Sequence, residues 1–229
     1  MKRGKIFLEG PAGTGKTTWG CNYLAELLEQ SSVGVLILVP QKILADPYLE
    51  VIRNSGGIFA DVFTIGSLSK TMVEMYWPMI AMDAGFKSPD MPPAFLNLEG
   101  AQYFISFVLR ELFEEGYFES VTISRNRLYT QVLDNLNKAA LNGYQPSEIG
   151  RRLELAVIGD PEQQQIFRDA QVAAQKFREF CLLNNFVDFS LQVEIFWRYL
   201  WKKEGICRSY LESTYRHLFI DNLEETTPI

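Results

Sequence analysis

The chain has 229 residues, of which 47% are hydrophobic and 22% are charged, as in an ordinary globular protein. Its formal net charge of −6 argues against a wholly electrostatic nucleic-acid binder, although it leaves room for a local basic groove. No apolar run reaches the roughly 18–20 residues that a membrane span requires. The three cysteines form no CxxC pair. We therefore expect a cytoplasmic protein with reduced thiols and no membrane contact.

The first predicted element is a short apolar strand over 5–9, which leads into a glycine-rich loop. The loop fits G-x-x-x-x-G-K-[ST] at every required position, and the helical pattern of Trp19, Tyr23 and Leu27 follows it. Such glycines let the backbone wrap a phosphate chain, the lysine adds positive charge, and the next hydroxyl ligates Mg²⁺. The residues predicted to bind a nucleoside triphosphate are Gly10, Pro11, Ala12, Gly13, Thr14, Gly15, Lys16, Thr17 and Thr18.

Two more strands are predicted after this loop and its helix. The continuous apolar run over 33–39, which Pro40 ends, is typical of a strand buried on both faces. Residues 61–65 predict the next strand, and the residues after them begin another helix. This alternation predicts an α/β fold with an open parallel sheet and helices on its faces.

The pattern becomes mostly helical in the middle of the chain, after a proline-rich linker over 89–93. We expect a large helical insertion over 85–208, within an α/β domain formed by 1–84 and 209–229. Many aromatic residues lie in this insertion; they could stack on bases, but their helical spacing favours core packing. The predicted helices cover 101–115, 125–142, 164–183 and 187–203.

The last predicted strand, over 215–220, ends in Asp221. A carboxylate at the carboxyl end of a parallel strand can reach the Mg²⁺ that a phosphate loop holds. Thr17 and Asp221 are therefore the predicted Mg²⁺ ligands, and Lys16 and Asp221 are the predicted catalytic residues of an ATP site. His217 has no cysteine or aspartate at ligand spacing, so we expect no other metal site.

Together these motifs resemble the N-terminal region of superfamily 1 DNA helicases of the UvrD/Rep kind, over nearly the whole chain. Residues 10–17 match the first motif, and 215–221 resemble the family's "YRHLLVDE". Residues 39–42 and 64–67 occupy the places of two motifs that contact single-stranded DNA in the family, and 185–189 resemble its "(V/L)DFxD" stretch. The resemblance implies a P-loop NTPase fold, with an incomplete RecA-like sheet, that binds ATP and Mg²⁺. The residues that it implies for DNA contact are Gln41, Lys42, Thr64 and Ser67.

The chain departs from the family in its acidic box, which in the family reads D-E-x-Q-D. Asn222 replaces the glutamate that polarises the attacking water, and an amide cannot accept a proton as a carboxylate does. Asn222 could still orient a water and allow weak turnover, and Glu224 or Glu225 could replace the glutamate. Too few residues precede Gly10 for the family's glutamine motif. The chain also resembles AddB subunits of helicase–nuclease complexes, whose degenerate motor serves in DNA recognition.

Residues 157–164 resemble the G-D-x-x-Q sensor of helicases, but they precede the acidic strand, whereas the sensor follows it in those enzymes. A Gly-Asp-Pro turn at the start of a helix accounts for this segment without any function.

The resemblance therefore implies the ATP-binding N-terminal part of a DNA helicase or helicase–nuclease component, weak or inactive alone. Its expected partners are single-stranded or partly duplex DNA and a C-terminal helicase region or partner subunit. We expect a piece of a longer protein, because the chain stops just after the acidic strand. Two alternatives remain open at this point: a P-loop kinase acting on a nucleoside or small metabolite, and a non-hydrolysing AddB-like scaffold, which Asn222 favours.

Overall fold

The structure is a computed structural model that describes residues 4–30, 34–56, 59–156, 161–203 and 205–225. These residues form an α/β protein with mostly helical content and a small parallel sheet. They divide into two compact units: an α/β unit, up to residue 68 and again from 209, and a helical unit, 69–208. Among the helices of the described residues, none is long and apolar enough to cross a membrane.

The elements below are numbered in chain order. The α helices are α1 (Lys16–Gln30), α2 (Asp46–Asn54), α3 (Ile65–Ile80), α4 (Leu98–Glu114), α5 (Arg125–Leu141), α6 (Ile149–Ala156), α7 (Pro161–Leu183), α8 (Phe189–Ile195) and α9 (Ile206–Thr214). The strands are β1 (Gly34–Leu38), β2 (Ala60–Phe63), β3 (Ala94–Phe95), β4 (Phe186–Val187) and β5 (Tyr215–Ile220). A π helix (Phe196–Lys203) continues α8, and short 3₁₀ helices cover Lys42–Ala45, Pro146–Glu148 and Leu223–Glu225.

The sheet of the α/β unit has the strand order β2-β1-β5, with both neighbours parallel to β1. The central strand is buried on both faces, which confirms the interpretation of the apolar run over 33–39. On one face, Val35 and Ile37 pack against Leu24 of α1 and Ile52 of α2. Burial of each such side chain contributes about 1.5–3 kcal/mol, so this layer fixes α1 against the sheet.

The predicted strand over 5–9 is wrong. Residues 4–9 form no strand, and Ile6 and Phe7 are 59% and 72% exposed. An apolar run indicates an extended chain, but a strand exists only where a neighbour accepts its backbone hydrogen bonds. In the described structure residues 4–9 pair with neither edge strand of this sheet, β2 or β5.

The helical unit contains all four helices predicted in the middle of the chain, as α4, α5, α7 and α8 with its π-helical continuation. Their starts follow from capping. The Asn97 side chain accepts a hydrogen bond from the backbone of α4, and the Ser124 and Asp188 side chains do the same for α5 and α8. A two-stranded parallel pair, β3 with β4, also lies in this unit.

The two units meet in the sequence at Leu68 and Ser69, whereas the sequence analysis placed this boundary after residue 84. The reason lies in the contacts of α3 beyond its first turn. Trp77 stacks edge-on against Phe86, and its indole N–H donates to the carbonyl of Met91 at 2.8 Å. These contacts are with residues that follow α3, so most of the helix belongs to the helical unit.

The segment that resembles a helicase sensor is only partly described. Residues 157–160 lie outside the described residues. The described part begins at Pro161, which is the first residue of α7. Proline is common at the first position of a helix, because no intrahelical partner is needed there for its missing N–H.

Candidate functional site

The glycine-rich loop closes on the side chain of Lys16. The Lys16 ammonium donates to the carbonyl oxygens of Gly10 and Pro11, at 2.6 and 3.1 Å. Gly13 and Gly15 have positive φ angles of 79° and 84°, a conformation that costs most other residues about 1 kcal/mol or more. The glycines of the motif therefore allow a wrapped loop with a positive charge at its centre.

Helix α1 begins at the end of this loop. Lys16 is its first residue, and the backbone N–H of Trp19 donates to the carbonyl of Gly15 at 2.8 Å. The N–H groups of a first helical turn have no acceptor inside the helix and carry partial positive charge. Together with the lysine ammonium, they make this end of α1 a place where an anion is stabilised.

The carboxylate of Asp221 lies against the start of α1. The hydroxyl of Thr17 donates to Asp221 Oδ2 at 3.1 Å, although the two residues are 204 positions apart. Asp221 directly follows β5, and its backbone N–H extends the sheet by donating to the carbonyl of Leu38 at 3.0 Å. The sheet thus brings together the two residues that the sequence analysis predicted as Mg²⁺ ligands.

A second side chain, which the sequence analysis missed, also holds Asp221. Tyr48 of α2 is only 3% exposed, and its hydroxyl is hydrogen-bonded to the Asp221 carboxylate. Burial and the neighbouring carboxylate raise the pKa of Tyr48 well above its ordinary value, so the phenol stays a neutral donor. In sequence, Tyr48 and Ile52 are spaced like one apolar helix face, which predicts a core residue and gives no sign of a polar contact.

A glycine in α1 makes room for this tyrosine. A Cβ at Gly20 would lie 3.1 Å from the Tyr48 hydroxyl oxygen, closer than most side chains approach. Glycine inside a helix costs about 1 kcal/mol relative to alanine, so its place here has a packing reason. At the next residue, burial and then the charge of Asp221 raise the pKa of the Cys21 thiol, which disfavours the thiolate.

The residues after Asp221 turn sharply away from the strand. Asn222 has a positive φ of 49°, in the left-handed region that asparagine tolerates better than most residues. Its backbone N–H donates to Asp221 Oδ1 at 3.0 Å, which helps to fix the orientation of the carboxylate. Glu224 and Glu225 lie exposed on the 3₁₀ turn that follows, so their predicted catalytic role remains a prediction.

The four residues predicted to contact DNA lie beyond the carboxyl ends of β1 and β2, the same edge of the sheet at which Asp221 follows β5. Gln41 and Lys42 are exposed at the start of a 3₁₀ helix. Thr64 and Ser67 bond to each other: the backbone N–H of each donates to the other's hydroxyl, at 2.9 and 3.1 Å. This arrangement caps the start of α3, so the two hydroxyls have a structural role whether or not DNA binds here.

No family model matches this chain, and no curated protein matches it. What the site can do therefore depends on its own geometry. That geometry places the Lys16 ammonium beside the start of α1. Next to it, the Asp221 carboxylate accepts hydrogen bonds from the Thr17 hydroxyl, the Tyr48 hydroxyl and the backbone N–H of Asn222.

Proposed function

We propose that the α/β unit is a P-loop NTPase domain that binds ATP with Mg²⁺. We further propose that it is the N-terminal, ATP-binding part of a DNA helicase or helicase–nuclease component. The observation that carries this proposal is the hydrogen bond between Thr17 and Asp221. A hydroxyl and a carboxylate in contact form the pair of oxygen ligands that Mg²⁺ favours beside a phosphate loop.

Each residue of the site has a definite task in this proposal. Lys16 exchanges its carbonyl acceptors on Gly10 and Pro11 for phosphate oxygens, and the backbone N–H groups at the start of α1 bind the rest of the phosphate chain. Thr17 and Asp221 would hold Mg²⁺, whose charge offsets that of the β- and γ-phosphates. Tyr48 keeps the Asp221 carboxylate in its orientation.

Hydrolysis by this site alone is expected to be slow. A general base must accept a proton from the attacking water, and Asn222 stands where a neighbouring carboxylate would be expected. Glu224 and Glu225 are the nearest acids in sequence, and both are exposed. Robust turnover would then need a group from a C-terminal helicase region or a partner subunit.

Single-stranded or partly duplex DNA is the proposed partner at the carboxyl edge of the sheet. Lys42 supplies an exposed positive charge there, and Gln41 an exposed amide. Thr64 and Ser67 hold the start of α3 and so shape the same edge. DNA and nucleotide would then bind side by side at one edge of the sheet, so that binding of one could affect binding of the other.

The direct test is calorimetric titration of the full chain with ATP and Mg²⁺. Lys16→Ala should weaken binding by roughly 10- to 150-fold, because hydrogen bonds to charged groups contribute about 1.5–3 kcal/mol. Asp221→Asn should weaken it only when Mg²⁺ is present. Lys138→Ala removes an exposed lysine from the other unit and is the matched control. Equal affinity of the wild type and Lys16→Ala would overturn the nucleotide site.

A non-hydrolysing DNA-binding scaffold is the second candidate, and Asn222 is the observation that favours it. ATP hydrolysis should be measured for the wild type and Asn222→Glu, with and without single-stranded DNA. A motor that lacks only its base should gain about 100-fold or more in turnover from the new carboxylate. No gain in the variant, together with intact ATP binding, would favour the scaffold.

A further inference from the structure

A basic and aromatic stretch of the helical unit lies outside the proposed nucleotide site. Residues 196–208 carry four basic residues and one acidic residue, a local net charge of +3 in a chain of −6. Two of the four tryptophans of the chain, Trp197 and Trp201, fall in the same stretch. We propose that these tryptophans, with Lys202 and Arg208, form a surface that binds single-stranded nucleic acid. We call it the Trp–Lys–Arg surface.

Each cation of this surface forms a cation–π contact with one of the tryptophan rings. The Lys202 ammonium lies 4.6 Å from the centre of the Trp197 ring, and the Arg208 guanidinium 5.1 Å from that of Trp201. Both tryptophans are half-buried, whereas Lys202 and Arg208 are exposed. Each ring is therefore held by the protein while its cation lies at the solvent boundary, where it can reach a phosphate.

The π helix is what places Lys202 above Trp197. The two residues are five positions apart, and residues at that spacing in an α helix point about 140° away from each other. In a π helix the backbone bonds itself at a spacing of five, so the two side chains lie on one face. Regular α-helical geometry would separate the ring from its cation. Segments of π helix are rare in proteins, and those that occur often lie at functional sites.

The charges around the surface leave two cations for a ligand. Arg198 is paired with Glu194 at 2.7 Å, and Lys203 is paired with Asp83. Lys202 and Arg208 form no ion pair with any residue in the described part of the chain. Glu204, the acidic residue of this stretch, lies outside that part. Positive charge thus concentrates on the two residues that cover the rings.

A third ring with its cation adjoins this surface. Arg152 lies over the ring of Tyr144, with its guanidinium carbon 3.1 Å from the ring centre. Tyr144 and Trp197 line the same small hollow between the end of α5 and the π helix. Tyr144 is 37% exposed, so the ring borders solvent beside the tryptophan. A strand that crosses the Trp–Lys–Arg surface would meet a further stacking partner at this hollow.

This combination favours single-stranded nucleic acid over other polyanions. Unpaired bases stack on aromatic rings and on guanidinium planes, while lysine and arginine contact the phosphates between them. A membrane surface would also attract the cations, and the vesicle measurement described below separates it from nucleic acid. The surface needs no nucleotide, so it goes beyond the ATP site proposed above.

The test uses the full chain without ATP and measures fluorescence anisotropy of a labelled 20-nucleotide oligo(dT). Replacing both Lys202 and Arg208 by alanine removes two phosphate contacts, so the slope of log affinity against log salt should fall by about 1.4. Trp201→Leu should weaken binding about 5-fold or more, since stacking of one base is removed. Lys138→Ala, an exposed lysine of the same unit, is the control and should leave both quantities unchanged.

Lys202 and Arg208 are both exposed, so the double alanine variant should keep its fold. Circular dichroism would verify this. Wild-type affinity in the double variant and in Trp201→Leu would overturn the proposal. If Lys42→Ala loses oligo(dT) binding while the variants of the Trp–Lys–Arg surface keep it, this proposal is overturned. The separate proposal that DNA binds at the sheet edge of the α/β unit would then be supported. Stronger binding to phosphatidylserine vesicles than to oligo(dT), lost in the same variants, would assign the surface to lipid instead.

Discussion

The two units use buried carboxylates in different ways. In the helical unit, Asp188 is 2% exposed, and all its partners belong to that unit. In the α/β unit, Asp221 is only half-buried, and one of its donors is the hydroxyl of Thr17, which follows the glycine-rich loop. A carboxylate that is almost fully buried among its donors stabilises the fold. A carboxylate that is partly exposed at the end of a strand can still be reached from the solvent.

Asp188 illustrates the closed case. Its oxygens accept hydrogen bonds from the backbone N–H groups of Ser190 and Leu191 and from the Ser190 hydroxyl, which caps α8. Arg178 lies 3.4 Å from Asp188 and 3.2 Å from Glu194, and the arginine is largely buried. The charges are thus paired inside the unit, as buried charges must be.

The largest expected effect in this comparison is that of Asp188→Ala. It removes the cap of α8 and leaves Arg178 buried with one acidic partner fewer, which should lower the free energy of unfolding by about 3–5 kcal/mol. Urea unfolding followed by circular dichroism measures it. Asp134→Ala, which breaks an exposed pair with Lys138, should change stability by less than about 1 kcal/mol. Similar losses in the two variants would contradict the closed role of Asp188.

Tyr48→Phe tests the open case and should have the next largest effect. Loss of the hydroxyl removes a donor to Asp221, so we expect a loss of about 1–2 kcal/mol in stability and weaker binding of ATP with Mg²⁺. The ring still fills its place in the core, which limits the damage. Titration with ATP in the presence and absence of Mg²⁺ separates positioning from packing. A purely structural role would lower stability and leave both affinities unchanged.

Asn222→Glu should cost less, about 1 kcal/mol or slightly more. The position has a φ of 49°, and side chains other than asparagine and glycine are strained in that region. Asn222→Gly is the matched control and should be close to neutral, because glycine adopts this conformation freely. Thermal unfolding of the three proteins checks the ranking. Equal stability of the Glu and Gly variants would show that the turn relaxes.

The smallest effect concerns alkaline pH. Burial raises the pKa of Tyr48 and of Tyr215, whose hydroxyl donates to Asp61 at 2.7 Å. A phenol with a raised pKa keeps its proton in the folded state, so its contribution is complete below the unfolded value of about 10 and declines as the pH rises above it. Urea unfolding at pH 9 and 10.5 should show this decline. It should become shallower in Tyr215→Phe, and an unchanged slope would contradict the assignment.

Much of the fold was predictable from local patterns. The run at 33–39 predicted a strand buried on both faces, and Val35, Leu36 and Ile37 are buried in β1. The helices of the middle region begin close to where expected, since Ser124 and Asp188 cap them through side-chain bonds. Periodicity and capping act within a few residues, so they can be read without knowing the rest of the chain.

Contacts between distant segments were less predictable. The strand expected over 5–9 has no pairing neighbour among the described residues, and most of α3 belongs to the helical unit. Tyr48 has the spacing of an ordinary core residue, although its hydroxyl meets Asp221. Each of these outcomes depends on which segment packs beside which, and local patterns do not contain that information.

The glycine-rich loop, the main helices and the apolar character of β1 follow from local sequence, because glycine freedom, capping and periodicity are local properties. The same local patterns identified Thr17 and Asp221 as a predicted pair. That the two residues meet depends on long-range packing, since the parallel register of β5 beside β1 carries Asp221 to the start of α1. The same holds for Trp197 and Lys202, which share a face because this helix winds as a π helix.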